Sequence, residues 1–163
     1  MGKQEKHEIV LAVRLSASGL GFAVFEAPGM PVDWGTRRPL IRTIRAYERF
    51  VEAVITSYQP EVLVLERPAE GSAPKATELH TKLMGLGKIK GIRTVEYTRD
   101  NVEAFFSRFG STSKFRISRT IAEWIPALRT QLPRYRHPWL SEPHSAAAFD
   151  AIALAVTHYF LSE

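Results

Sequence analysis

Two short apolar runs, each stopped by a charge, constrain this chain most. Residues 9–13 read IVLAV and are followed by Arg14; residues 62–65 read VLVL and are followed by Glu66. Both runs are rich in β-branched residues and too short for a helix, so they read as strands buried on both faces. Between them lie strand-like segments at 22–25 (FAVF) and 32–35 (VDWG), with turn residues at Ser16, Ser18 and Gly19, where Gly19 and Gly21 are free to take positive φ, and at Pro28 and Gly29. An amphipathic helix is expected over 41–58, where Ile41, Ile44, Tyr47, Val51, Val54, Ile55 and Tyr58 recur at helical spacing before Pro60. Further on, the pattern predicts a helix over 76–90 ended by Gly91, a strand over 94–97, and a helix over 101–109. A helix over 114–128, interrupted near Pro126, and a last one over 146–160 complete it, with Ser145 able to cap the last. Buried strands alternating with helices imply a partly parallel sheet, made mixed by the early hairpin, with helices on both faces. In such α/β folds the working site lies at the carboxyl ends of the central strands.

A length of 163 residues suits one domain, 1–163, and no linker or repeat divides it. The chain has no cysteine, which excludes disulfides, cysteine-based zinc sites and cysteine nucleophiles. No targeting segment and no membrane span are expected, and a cytoplasmic protein is the default. The net charge is +5, and residues 108–136 carry seven basic residues (Arg108, Lys114, Arg116, Arg119, Arg129, Arg134, Arg136) against one acid, Glu123. A local field of that sign suits a polyanion such as nucleic acid, or is a solvated basic surface. Lys114, Arg116 and Arg119 are candidate phosphate contacts, and Lys75, Lys82 and Lys88 are further candidates near the loop after Glu66.

If the strands ending in Arg14 and Glu66 are parallel neighbours, both side chains emerge at one sheet edge. Asp150 sits in AAAFDAIALAV, a helix apolar nearly all round, where a carboxylate is costly unless it is paired or binds a metal. Ala146, Ala147 and Ala151 let that helix approach the sheet closely, and Ala147 lies about one turn before Asp150. Two distant carboxylates meeting at a strand end suggest a divalent-metal site for phosphodiester chemistry. Alternatively, Arg14, Glu66 and Asp150 form a buried ion-pair cluster without chemistry. Other motifs carry less. Gly85-Leu86-Gly87-Lys88 lacks the first glycine and the hydroxyl residue of a phosphate loop, Gly19-Leu20-Gly21 leads into a strand, and the five histidines have no zinc-ligand spacing. Trp34, Trp124 and Trp139 are read as core.

The chain resembles the RuvC family of Holliday junction resolvases over almost its full length. LAVRLSASGLGFAVFE is similar to the family's opening strand and hairpin, PEVLVLERP to the strand ending in its catalytic Glu, VEYTRDNVEAFFSRFGSTSKFRISRTIA to its EY-containing strand and basic helices, and HSAAAFDAIALAVTHYF to its final helix. The resemblance implies a ribonuclease-H-like α/β fold with a mixed five-stranded sheet, a homodimer, binding of branched or Holliday-junction DNA, a role in DNA recombination and repair, and cleavage with Mg²⁺ or Mn²⁺. Glu66 and Asp150 fall on two of the family's catalytic, metal-binding acids. Arg14 stands where the first-strand Asp is expected, Ala147 where another acid or His is expected, and Ala69 at the place of a junction-wedging aromatic. His144 lies six residues before Asp150, out of register for a ligand. A guanidinium at position 14 has the wrong sign for a metal ligand and suits charge-assisted bonds to Glu66 and Asp150. Three readings remain open: a DNA-binding protein with a degenerate, weak or inactive nuclease site; an active Mg²⁺-dependent endodeoxyribonuclease using Glu66, Asp150 and a substitute acid such as Asp33 or Glu26; and a ribonuclease-H-like protein with a protein partner.

Overall fold

Alternation along the strands assigns their residues to the two faces of one sheet. In the computed structural model, which describes residues 7–16, 19–111, 113–131 and 145–162, five strands form the order β3-β2-β1-β4-β5. They are β1 (Val10–Ser16), β2 (Gly19–Ala27), β3 (Met30–Arg37), β4 (Val62–Glu66) and β5 (Arg93–Tyr97). The β1–β2 and β2–β3 pairs are antiparallel, and the β1–β4 and β4–β5 pairs are parallel, so the sheet is mixed as expected. The helices are α1 (Ile44–Tyr58), α2 (Pro74–Lys90), α3 (Arg99–Ser107), α4 (Lys114–Trp124) and α5 (Ser145–Leu161), with a 3-10 turn at Pro126–Gln131.

Val10, Ala12, Ala23, Phe25, Val62 and Val64 face a core completed by α3, α4 and α5; Leu11, Val13, Leu20, Val24, Leu63 and Leu65 face a second core completed by α1 and α2. Arg14 and Glu66 share the parity of Val10 and Val62, so both belong to the α5 face. Helix α5 is buried almost throughout, which explains why it is apolar all round. It lies across the sheet at Gly21, where an added Cβ would stand 1.8 Å from the Ala147 carbonyl oxygen. Gly21 therefore serves close approach, whereas Gly19 has the positive φ, +132°, that a turn glycine provides.

Several boundaries differ from the sequence expectation. α1 begins at Ile44 because Thr43 caps it, its side chain accepting from the Ala46 N–H, and Ile41 is left exposed in the preceding loop. α2 begins earlier, with Pro74 in its first turn. α3 begins at Arg99 behind a capping box of Thr98 and Asn101. The expected loop at 132–143, with Trp139, Arg134, Arg136 and His144 in or beside it, lies outside the described residues. Trp34 packs against the α5-side core, and Trp124 is partly exposed. No helix among the described residues is long and apolar enough to cross a membrane.

Near the end of α5, His158 is 3 % exposed and its Nδ1 pairs with the Tyr97 hydroxyl at 2.9 Å. Burial, helped by the nearby Arg93, holds its pKa below the usual histidine value. Below about pH 6.5 the unfolded chain takes up a proton that folded His158 resists, so stability falls as the pH drops through and below that value. Thermal melts between about pH 7.5 and 5 are expected to show this decline. His158→Gln is expected to flatten it, and an unchanged slope in the variant would refute the assignment.

Candidate functional site

The parallel register of β1 and β4 brings the two strand-ending charges together. Arg14 Nε donates to Glu66 Oε2 at 2.6 Å, and Arg14 Nη1 donates to Asp150 Oδ2. Asp150 reaches this point because α5 rests directly on Gly21, the β2 residue paired with Arg14. The side chains of Glu66 and Asp150 are 11 % and 7 % exposed, and that of Arg14 is 19 % exposed. Two more cations converge on Asp150: Lys114 Nζ lies 3.4 Å from Oδ2, and Arg99 Nη1 lies 3.8 Å from Oδ1. Three positive groups thus surround two carboxylates at the carboxyl end of the sheet. Glu66 Oε1 is buried with no hydrogen-bond partner.

A cleft of about 230 Å³ opens beside the cluster, lined by Arg14, Glu66, Ala69, Ser72, His80 and Arg99 among others. On its rim Arg67 pairs with Glu96 at 2.8 Å, and His80 Nε2 stands 3.6 Å from the same carboxylate oxygen.

The donor set does not fit Mg²⁺ or Mn²⁺. A divalent ion bound by Glu66 and Asp150 would stand within a few ångströms of the Arg14 guanidinium. At an effective dielectric near 20 that repulsion is about 8 kcal/mol at 4 Å. Among the described residues, no three His, Cys, Asp or Glu side chains gather to offset it. Ala147 is fully buried and supplies no ligand atom. The proposed substitute acids do not join the cluster. Asp33 pairs in register with Val24 and accepts from the Tyr58 hydroxyl at 2.7 Å, and Glu26 lies next to Phe25, the partner of Val10; both are toward the other end of the sheet.

The basic candidates separate by position. Lys114 turns inward to Asp150, while Arg116 and Arg119 are exposed on α4. Lys75 Nζ donates to the Arg42 carbonyl, tying the start of α2 to the β3–α1 loop. Lys82 lines a groove between α1 and α2 with Glu48, Glu52 and Glu78. Lys88 is in the last turn of α2, about 20 Å along the helix from Pro74, and is not near the loop after Glu66 as the sequence reading expects. Arg99 was missed. Its only local signal is its place directly after Thr98, a helix cap that follows a strand ending in Tyr97, beside Glu66 in register.

A mixed five-stranded sheet in this order, with helices on both faces, is a ribonuclease-H-like α/β fold. Within that class, the chain has the fold of the RuvC-like resolvases. Thermus thermophilus RuvC in complex with Holliday junction substrate superposes with a TM-score of 0.71 at 16 % identity, covering 96 % of this chain and 95 % of that one. The fowlpox virus Holliday junction resolvase gives 0.61 at 14 % identity, over 94 % and 99 % of the two chains. The yeast mitochondrial Holliday junction resolvase, Ydc2, gives 0.62 at 10 % identity, over 91 % and 76 %. No known protein family and no curated protein matches the chain in sequence. At these identities the likeness is one of fold.

Proposed function

We propose that this chain is a cytoplasmic protein that binds branched DNA of the Holliday-junction kind, as a homodimer, through the carboxyl end of its sheet, with its nuclease centre closed by Arg14. The observation that carries this reading is the pair of bonds from one guanidinium to both Glu66 and Asp150. Arg14 provides in place the positive charge that a metal would otherwise bring, and it cannot coordinate water or a phosphate as a Lewis acid does. Support for the DNA partner comes from the resolvase fold and from the cations at that end: Arg67, Arg99 and Lys114 by the cleft, with Arg116 and Arg119 on the exposed side of α4. Such groups contact phosphates without reading sequence.

A metal-dependent nuclease is the second reading. The observation on its side is Glu66 Oε1, a buried carboxylate oxygen with no partner. Four-way junctions labelled for anisotropy separate the two. The closed-centre reading expects preferential binding of the junction over linear duplex, weakening roughly tenfold or more between about 50 and 200 mM salt, and no product with Mg²⁺ or Mn²⁺. Nicked junction strands in the presence of either metal would favour the nuclease. Binding indifferent to salt would remove the DNA partner.

A further inference from the structure

The loop between β3 and α1 places two strongly exposed apolar side chains beside a cluster of arginines. Leu40 is fully exposed and Ile41 is 73 % exposed. Around them, Arg37, Arg38, Arg42, Arg45 and Arg49 are all exposed, with one acid, Glu48, in the same stretch. Acids elsewhere balance this cluster, so it is hidden in the net charge of the chain.

The base of the loop is held from several sides. Lys75 Nζ donates to the Arg42 carbonyl, Thr43 caps α1, Arg37 stands over the Phe50 ring at 5.5 Å, and Arg38 lies over Gly19. Pro39 restricts both its own φ and the residue before it. A tip of two aliphatic residues is thus carried on an anchored stem, which lowers the entropy cost of using it in binding. Its location is also specific. Arg14 pairs with Gly21 and Gly21 with Thr36, so the loop leaves the sheet in the same row as the ion-pair cluster, two strands or about 10 Å across.

Exposed Leu and Ile flanked by arginines match the chemistry by which proteins part stacked bases: cations hold the phosphates while an apolar wedge enters the base step. We propose that Leu40 and Ile41 are a wedge that inserts at an unstacked base step of branched DNA, with the arginines around them on the flanking phosphates. This rests on the DNA-binding reading above and adds to it the residues that discriminate branched from linear DNA. An exchange point already holds bases that are poorly stacked, so insertion there costs less than in continuous duplex. An anionic membrane would also attract such a loop. A two-residue tip offers less apolar surface than the whole helical face that interfacial anchors bury, and the loop shares its end of the fold with Arg14, Arg99 and Lys114.

The test uses the full chain and a four-way junction carrying 2-aminopurine at its exchange point. Wild type is expected to raise the fluorescence on binding and to prefer the junction to linear duplex. The variant carrying both Leu40→Ser and Ile41→Ser is expected to lose the rise and about tenfold in junction affinity, with its melting temperature, duplex affinity and salt slope unchanged. Leu40→Met with Ile41→Val is expected to retain both properties, whereas Arg42→Ala weakens junction and duplex alike and lowers the salt slope by about 1. A double-serine variant that keeps the fluorescence rise and the junction preference overturns the wedge. So does one whose only change is oligomeric state, or lost pelleting with phosphatidylserine vesicles. If wild type binds neither DNA, the DNA-binding reading falls instead.

Discussion

Arg14→Ala is expected to lower the stability of the fold by about 2–4 kcal/mol, read as a fall in Tm of roughly 5–15 °C. The substitution leaves Glu66 and Asp150 mostly buried and facing each other without the guanidinium that joins them. Removing one member of a buried charge cluster strands the others, and the stranded charge costs more than the lost bonds. Arg99 and Lys114 remain beside Asp150, so the deficit falls mainly on Glu66. A divalent cation can then enter. Mg²⁺ or Mn²⁺ is expected to recover part of the lost stability in Arg14→Ala and more in Arg14→Asp, where three carboxylates converge. A metal at 100 times its Kd contributes about 2.7 kcal/mol. Wild type is expected to melt at the same temperature with metal or with a chelator. Metal stabilisation of wild type equal to that of the variants would refute the claim that Arg14 excludes the ion.

Gly21→Ala is expected to cost about 3 kcal/mol or more, the upper end for overpacking, because the obstruction is backbone and cannot turn aside. Its Cβ would fall 1.8 Å from the Ala147 carbonyl oxygen and 2.4 Å from the carbonyl carbon. Helix α5 would have to withdraw from the sheet, carrying Asp150 away from Arg14 and opening the core on that face. Gly85→Ala is the control. Gly85 lies within α2 with nothing near an added Cβ, so alanine there is expected to be neutral or to stabilise by up to about 1 kcal/mol. Denaturant unfolding of the two variants checks both, and a Gly21→Ala protein within about 1 kcal/mol of wild type would show that α5 does not rest on Gly21 as described.

Much of the fold was legible because strands and helices write their periods into neighbouring residues. IVLAV and VLVL marked the two parallel strands, the charge ending each run marked the carboxyl edge, and the all-apolar run around Asp150 marked the buried helix. Boundaries were less legible where a cap overrides the apolar pattern, as at Thr43, which starts the helix at Ile44, three residues after Ile41 would have begun it. The exposed pair Leu40 and Ile41 was hidden for the same reason: in the sequence Ile41 continues a helical stripe, and only the capped turn leaves it in water.

By itself, the sequence determined the order of elements and the charges, Arg14 and Glu66, that end the two buried apolar runs, since each depends on residues a few positions apart. The tertiary structure alone decided that Arg99 and Lys114 also close on Asp150, that Gly21 is required by helix contact rather than by its φ, and that Lys88 lies remote from the cluster. Those facts follow from crossovers and helix placement. They bring together groups separated by 36 residues, Lys114 and Asp150, and by 136, Arg14 and Asp150, distances over which local periodicity carries no information.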